Sequence, residues 1–309
     1  MSSRGFNSFI FKEIVMKLVI ADRMEEDVVE LIRELGEVVY QPKDLAKEVA
    51  DAQVLIVRSA TTVDRDLLEA ASSLKVVARA GIGIDNIDSK ECEKRGIKVV
   101  NTPGASRNAV AELALGLIIC TMRNVQRAHF QMKNKNWDKK HLTGSEIEGK
   151  TLGIIGYGRI GSALGRKAAA LGMNIISYNP PPRHEDEIVM FIDELDEFLA
   201  KADVISLHTI LTDETRHMVN AESISKMKDG VFLINTARGA LIDEDALYEA
   251  CKSGKVAGAA IDVYEEEPYT GKLLELDNVY FTPHLGAGSF EAQMRIGEEL
   301  VERIRKELD

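Results

Sequence analysis

The sequence predicts an α/β protein built from two doubly wound parallel sheets. Three observations predict it. Short apolar runs alternate with helix-spaced segments along nearly the whole chain, which is the pattern of parallel strands covered on both faces. A glycine-rich turn, Gly156-x-Gly158-x-x-Gly161, separates one such run from a helical stretch. A breaker, Asn101-Thr-Pro-Gly104, divides the chain after its fifth strand, and 309 residues suit about two domains.

The elements follow in order. Residues 18–21 read as the first strand. Residues 25–35 carry Val28, Val29, Leu31, Ile32 and Leu35 at helical spacing, and Gly36 closes that helix. Strands are predicted at 38–40, 54–57, 76–78 and 99–100, with helices at 45–50, 64–71 and 88–94 between them. After the breaker, one long helix is predicted over 106–133. Its first half, 109–122, is apolar nearly all round and should be buried. Residues 134–150 read as polar and irregular, with Trp137 filling a packing gap or a subunit contact. Six further strands are predicted at 152–155, 174–178, 204–207, 231–235, 257–261 and 279–281. Helices between them are clearest at 162–171, 193–200, 221–227 and 243–252. Residues 290–308 form an amphipathic helix with Met294, Ile296, Leu300 and Ile304 on one face. That helix is expected to pack back on the first domain. The expected organisation is therefore 1–103 with 284–309 as one discontinuous domain, and 104–283 as the other.

Composition narrows the function. A net charge of -11 argues against nucleic acid or an anionic membrane surface as the main partner. Cys92, Cys120 and Cys251 are far apart in apolar or helical surroundings. They read as buried thiols in a reducing compartment, neither a disulfide framework nor a metal site. No apolar run reaches the ~18–20 residues needed to span a bilayer. Residues 1–15 lack the continuous apolar core and cleavage site of a secretory signal and read as an extension, with Met16 as an alternative start. A cytoplasmic protein is expected.

The glycine turn carries a mechanism. Gly156 permits the tight turn, Gly158 the close approach of a pyrophosphate, and Gly161 the packing of helix on strand. Phosphates would sit at the helix N-terminus, where unpaired N–H groups and the dipole favour anions. The strand-rich part from 152 onward thus reads as a dinucleotide-binding unit of two mononucleotide halves.

Ligands in open α/β sheets bind beyond the carboxyl ends of the strands. After 231–235 stand Thr236-Ala237-Arg238-Gly239. After 257–261 come Asp262 and the acidic trio Glu265-Glu266-Glu267. After 279–281 come Thr282-Pro283-His284-Leu285-Gly286-Ala287. In the first domain, strand ends supply Arg58-Ser59 and the Gly81-Ile82-Gly83 loop. Singly, an arginine reads as a surface ion pair, a glutamate as a solvated acid and a histidine as a locally satisfied ring; together they suit hydride transfer between a nicotinamide and a 2-hydroxy acid. His284 can take the hydroxyl proton, since imidazole titrates near neutral pH. Glu267 beside the ring would favour its protonated form. Arg238 would grip the substrate carboxylate and polarise the oxo oxygen. Backbone N–H groups at 81–83 could hold the other carboxylate oxygen. Asp262 could orient the nicotinamide carboxamide, or cap a helix.

These residues carry a family likeness over nearly the full length. Gly156-Tyr-Gly-Arg-Ile-Gly161, Asn235-Thr-Ala-Arg-Gly239 with Leu241-Ile-Asp243, Asp262-Val-Tyr-Glu-Glu-Glu-Pro268 and Thr282-Pro-His-Leu-Gly-Ala287 resemble the D-isomer-specific 2-hydroxyacid dehydrogenases. The resemblance implies a Rossmann nucleotide-binding domain inserted in a flavodoxin-like substrate domain. It implies NAD as cofactor, no metal, a homodimer, and Arg238, Glu267 and His284 as the catalytic triad. It places the cofactor against Gly156, Gly158, Arg159, Ile160, Gly161, Asn179, His208, Thr209, Thr236, Ala237, Asp262, Gly286 and Ala287. Arg58, Ser59, Gly81, Ile82 and Gly83 would meet the substrate. Within the family, Val57-Arg-Ser-Ala-Thr61, Val77-Ala-Arg-Ala-Gly-Ile-Gly-Ile-Asp-Asn86, Ala111-Glu-Leu113 and Gly149-Lys-Thr-Leu-Gly153 are most similar to members that oxidise 3-phosphoglycerate. That likeness implies a phosphorylated 2-hydroxy acid as substrate, with Arg58 on the phosphate and Arg107, Lys139 and Lys140 as weaker candidates.

Two departures shape the expectations. The ACT-type regulatory domain of many members is missing from the sequence, so no serine feedback through it is expected. Asn179 stands where an acidic residue usually holds the ribose 2′-hydroxyl, with Arg183 nearby. NAD is expected to be preferred, with weaker discrimination than an aspartate gives. A glyoxylate or hydroxypyruvate reductase is the rival within the family. An NAD(H)-sensing corepressor-like protein is the rival of another class.

Overall fold

The computed structural model describes residues 16–308 apart from Pro182, His184 and Glu185. The expected extension at 1–15 lies outside the described residues. The chain forms two compact units, one of the residues up to Ala105 and from Gln293 onward, the other Ser106–Ala292.

The first unit holds β1 (Lys17–Ile20), β2 (Glu37–Tyr40), β3 (Val54–Val57), β4 (Val76–Arg79) and β5 (Lys98–Asn101). All pair in parallel in the order β2-β1-β3-β4-β5. Helices α1 (Glu26–Arg33), α2 (Leu45–Val49), α3 (Arg65–Ala70) and α4 (Ser89–Lys94) connect them. Three of these helices start on an aspartate. Asp44, Asp64 and Asp88 accept from Lys47, Leu67 and Glu91 N–H groups, which satisfies otherwise unpaired donors. Every residue of β3 is fully buried, as a central strand covered on both faces must be.

The second unit holds β6 (Thr151–Ile155), β7 (Asn174–Tyr178), β8 (Val189–Phe191), β9 (Val204–Leu207), β10 (Val231–Asn235), β11 (Val256–Ile261) and β12 (Val279–Phe281). Their order is β12-β11-β10-β9-β6-β7-β8, all parallel. The helices are α5 (Arg107–Met122), α6 (Val125–Lys133), α7 (Arg159–Ala170), α8 (Leu195–Lys201), α9 (Ala221–Lys226) and α10 (Glu244–Ser253); α11 (Phe290–Leu308) begins here and continues into the first unit. Strand periodicity builds both faces. Leu152 and Ile154 of β6 join the core under α5 and α7, and Ile155 joins the opposite core with Phe198 and Leu199 of α8. On that second face Gly153 leaves room for Phe198.

Four sequence expectations are corrected. The helix expected over 106–133 is two helices, because Asn124 adopts φ 54° and the axis bends by 67°. The second sheet has a seventh strand, β8, whose three residues are too few to stand out in sequence. Helix α7 starts at Arg159, earlier than the 162 expected, so the glycine turn runs straight into it. The boundary near the C-terminus falls after Ala292 and not after 283, because 284–286 are tied by hydrogen bonds to Asp262.

Helix α11 buries Ala292, Ile296, Leu300, Val301 and Ile304. Within the first unit Gly297 lies against Val28 of α1, where a Cβ would come within 2.8 Å of a valine methyl. Among the described residues no single helix is long and apolar enough to cross a membrane.

Replacing Gly153 with alanine should cost about 1–3 kcal/mol, since the new Cβ would stand 2.7 Å from Phe198 Cζ and 2.9 Å from Ala202 Cβ. Urea unfolding with an unchanged m-value is the check; a shift of the midpoint near zero would contradict this packing.

Candidate active site

The second sheet reverses its winding between β6 and β9, the point where such sheets take ligands. The ends of these two strands touch through backbone alone. A Cβ on Gly156, at φ 93°, would lie 2.7 Å from the carbonyl of His208 and from Thr209 N. A Cβ on Gly161 would be equally constrained, 2.3 Å from Gly156 O, whereas one on Gly158 would meet nothing within 4 Å. The turn is therefore tight at its first and third glycines and open at the second, where α7 presents the N–H groups of Arg159 and Ile160. Two shielded polar atoms have no protein partner among the described residues: His208 Nδ1, in the residue against Gly156, and Thr236 Oγ1, just after β10. Hydrogen-bonding atoms left so are rare in folded chains, and they suit a polar ligand such as a dinucleotide.

The strand ends of β10, β11 and β12 carry the reactive groups. Asn235, fully buried, shapes the first turn by accepting from Ala237 N at 3.0 Å and donating to Arg238 O at 2.8 Å. Gly239 then lies on the 264–265 backbone, with Tyr264 C 1.9 Å from where a Cβ would be. That contact sets the Arg238 turn beside the Glu267 turn. Of the acidic trio, Glu265 faces Arg216 and His217, while Glu267 turns to His284. Its Oε2 stands 2.9 Å and its Oε1 3.1 Å from His284 Nδ1. A carboxylate accepts, so Nδ1 carries a proton; Nε2 has no hydrogen-bond partner among the described residues. Burial pushes the Glu267 carboxyl up, but the His284 hydrogen bond and the charges of His284 and Arg238 outweigh it and hold it below its usual range.

His284 itself sits at φ 55°, a conformation uncommon outside glycine. Asp262 holds it there. Its backbone carbonyl accepts from His284 N at 2.8 Å. Its carboxylate, fully buried, accepts from Thr282 Oγ1 at 2.5 Å, Leu285 N at 2.7 Å and Gly286 N at 2.9 Å. Burial pushes this carboxyl above its usual range despite the three donors. Asp262, expected to orient the nicotinamide carboxamide, fixes the histidine loop through these bonds. The N–H of Gly286 is spent on the same contact.

In the first unit, Asp22 at the end of β1 is buried and accepts from Arg58 N–H and from Thr61 Oγ1. Arg58 Nη1 donates to Arg23 O at 3.0 Å. Gly81, at φ 150°, lies under the Arg79 guanidinium, and its carbonyl accepts from Thr102 N. Asn101 Nδ2 donates to Ile82 O. Sequence reading singled out Arg58 and the 81–83 loop but missed Asp22 and Arg79. Arg79 closes β4 and Asp22 stands two residues after β1, which was the available signal. Trp137, expected in a packing gap or a subunit contact, is 71% exposed within the chain.

A glycine turn at the switch point of a parallel sheet, with an imidazole–carboxylate pair beyond the neighbouring strand ends, defines a nucleotide-dependent oxidoreductase. The family model for the D-isomer specific 2-hydroxyacid dehydrogenase NAD binding domain matches residues 115–286, and the chain belongs to that family. It is 53% identical over 269 residues to a hydroxypyruvate reductase of Thermotoga maritima, covering 86% of this chain and 88% of that one. It is 45% identical over 302 residues to a D-3-phosphoglycerate dehydrogenase of Methanocaldococcus jannaschii, covering 95% of this chain but 58% of that one. Among solved structures, D-lactate dehydrogenase from Aquifex aeolicus complexed with NAD and lactic acid superposes with a TM-score of 0.83 at 33% identity, covering 94% of each chain. The cofactor is NAD.

Burial pushes His208 down to about 4, so the ring is neutral in the folded protein at pH 7. Unfolded, it would titrate near its ordinary value of about 6.5. Its contribution to stability is therefore complete above about pH 6.5 and is lost as pH falls from there towards 4. Melting temperatures of the wild type and of His208→Gln should converge over that window. Parallel curves would show that His208 is not held neutral.

Proposed function

We propose that the protein oxidises D-3-phosphoglycerate to 3-phosphohydroxypyruvate with NAD. The observation that carries the chemistry is the His284–Glu267 pair, with Nδ1 committed to the carboxylate and Nε2 left for substrate. Bound NAD supplies the hydride acceptor. Gly156, Gly158, Gly161 and the N–H groups of Arg159 and Ile160 would hold its pyrophosphate, with His208, Thr209, Thr236 and Ala237 along the adjoining strand ends. His284 Nε2 takes the substrate hydroxyl proton. Glu267 steadies the imidazolium that results, because opposite charges within hydrogen-bond reach favour the protonated ring. Arg238 binds the substrate carboxylate and polarises the nascent oxo group. Arg58 and the 81–83 backbone supply further anion donors, Arg58 to the phosphate. In the reverse direction each proton step runs backwards.

Hydroxypyruvate is the second reading. It shares the three-carbon skeleton and lacks only the phosphate, and the 53% identical relative carries that activity in its name. The chain also spans nearly all of that relative but little more than half of the phosphoglycerate dehydrogenase. We further propose a cytoplasmic homodimer joined through α5, α6 and the segment after them. Phe130, Met132 and Trp137 are each more than half exposed there, and burying such a set against a second copy is favourable.

Turnover of D-3-phosphoglycerate, D-glycerate, D-lactate and glycolate, read by NADH absorbance, tests the substrate. His284→Ala should lower kcat about 10²–10⁴-fold on whichever acid is used; a loss under threefold would remove the histidine from its role. Arg58→Ala should raise KM for the phosphorylated acid at least about tenfold and leave D-glycerate unchanged. Equal loss on both would favour the second reading.

A further inference from the structure

Asn179 follows β7 at the place where an acid would hold a ribose 2′-hydroxyl and repel a 2′-phosphate. Its side chain does other work. Oδ1 accepts from Tyr157 N in the glycine turn at 2.9 Å, and Nδ2 donates to Pro180 O at 3.1 Å. Arg183 brings a positive charge to this edge, beside the Asp186–Arg166 pair at Tyr157 OH. Its Nε donates to Asn179 O at 2.6 Å. Its guanidinium carbon stands 5.2 Å from the centroid of the Phe191 ring, and its Nη2 is ion-paired with Asp193. Phe191 of β8 in turn meets Tyr157 edge-on, with ring centroids 5.6 Å apart. The arginine is thereby tied through two aromatic rings to the glycine turn. Its side chain is 21% exposed, whereas that of Asp193 is 76% exposed.

We propose that the Arg183–Asp193 pair sets the choice between NAD and NADP. It rests on the reading that the glycine turn holds the dinucleotide. An unpaired guanidinium beside the end of β7 would form a bidentate, charge-assisted contact with a 2′-phosphate. Asp193 takes that position instead. An incoming 2′-phosphate must displace a carboxylate from Arg183 and then share the space with it, two anions on one cation. A ribose 2′-hydroxyl brings no charge and meets neither cost. NAD preference is thus restored without an acid at the usual position: the discriminating charge is carried on the loop between β8 and α8.

Dissociation constants for NADH and NADPH, measured by the rise in their fluorescence on binding, test the pair. The variants are Asp193→Asn, Asp193→Ser, Arg183→Gln and the double Asp193→Asn/Arg183→Gln, each checked for a wild-type melting curve. The wild type should bind NADH more tightly than NADPH. Either neutral replacement of Asp193 should tighten NADPH about tenfold relative to NADH, and Arg183→Gln should abolish that gain in the double variant. Asp193→Glu should keep the wild-type ratio. A ratio unmoved by both Asp193 variants, or a gain that persists without Arg183, overturns the role of the pair while leaving the dinucleotide site standing. Binding of neither cofactor to the wild type overturns the site itself, and the inference with it.

Discussion

One buried carboxylate organises the chemistry of the second unit. Asp262 has no exposed surface, and an unpaired charge in that position would be strongly destabilising. It is satisfied by three donors from the loop after β12, and its own backbone carbonyl takes the N–H of His284. His284 is therefore held in a left-handed conformation that it would not choose alone, with Nδ1 on Glu267. The cost of burying a charge and of the unusual backbone is offset by hydrogen bonds to a charged acceptor, which are stronger than neutral ones.

Backbone contact is the second constraint. At the switch point, and again at Gly239, two chain segments approach more closely than any side chain allows. The first contact shapes the glycine turn between β6 and α7 against the end of β9. The second sets the Arg238 turn against the segment that carries Glu267. Rigid turns of this kind hold functional groups in place without ligand, so little ordering is left for the moment of binding.

The edge of the second sheet beside the glycine turn shows a different solution. β8 is three residues long and adds one edge strand, yet it supplies Phe191, on which Tyr157 and Arg183 both rest. An edge strand of three residues, only partly buried, contributes modestly to the core. Its consequence lies in where it places neighbouring side chains.

How much of this was legible in the chain depends on the range of the interactions. Strand and helix positions, the glycine turn and the candidate trio Arg238, Glu267 and His284 follow from local periodicity and from the rule that ligands gather at strand ends. The break at Asn124 did not show, because no glycine or proline marks it and the flanking residues keep a helical pattern. β8 did not show because three residues are too few for periodicity to register. The packing of Gly239 on the 264–265 backbone, a contact between residues far apart in the sequence, had no local signal. The hydrogen bonds of Asp262 to the loop after β12 and of Asn179 to Tyr157 likewise had no local signal. The sequence by itself determined the two parallel sheets, the family and the chemical groups available; only the tertiary structure decided which group bonds which, because hydrogen bonds at the ends of parallel strands join residues that no local pattern connects.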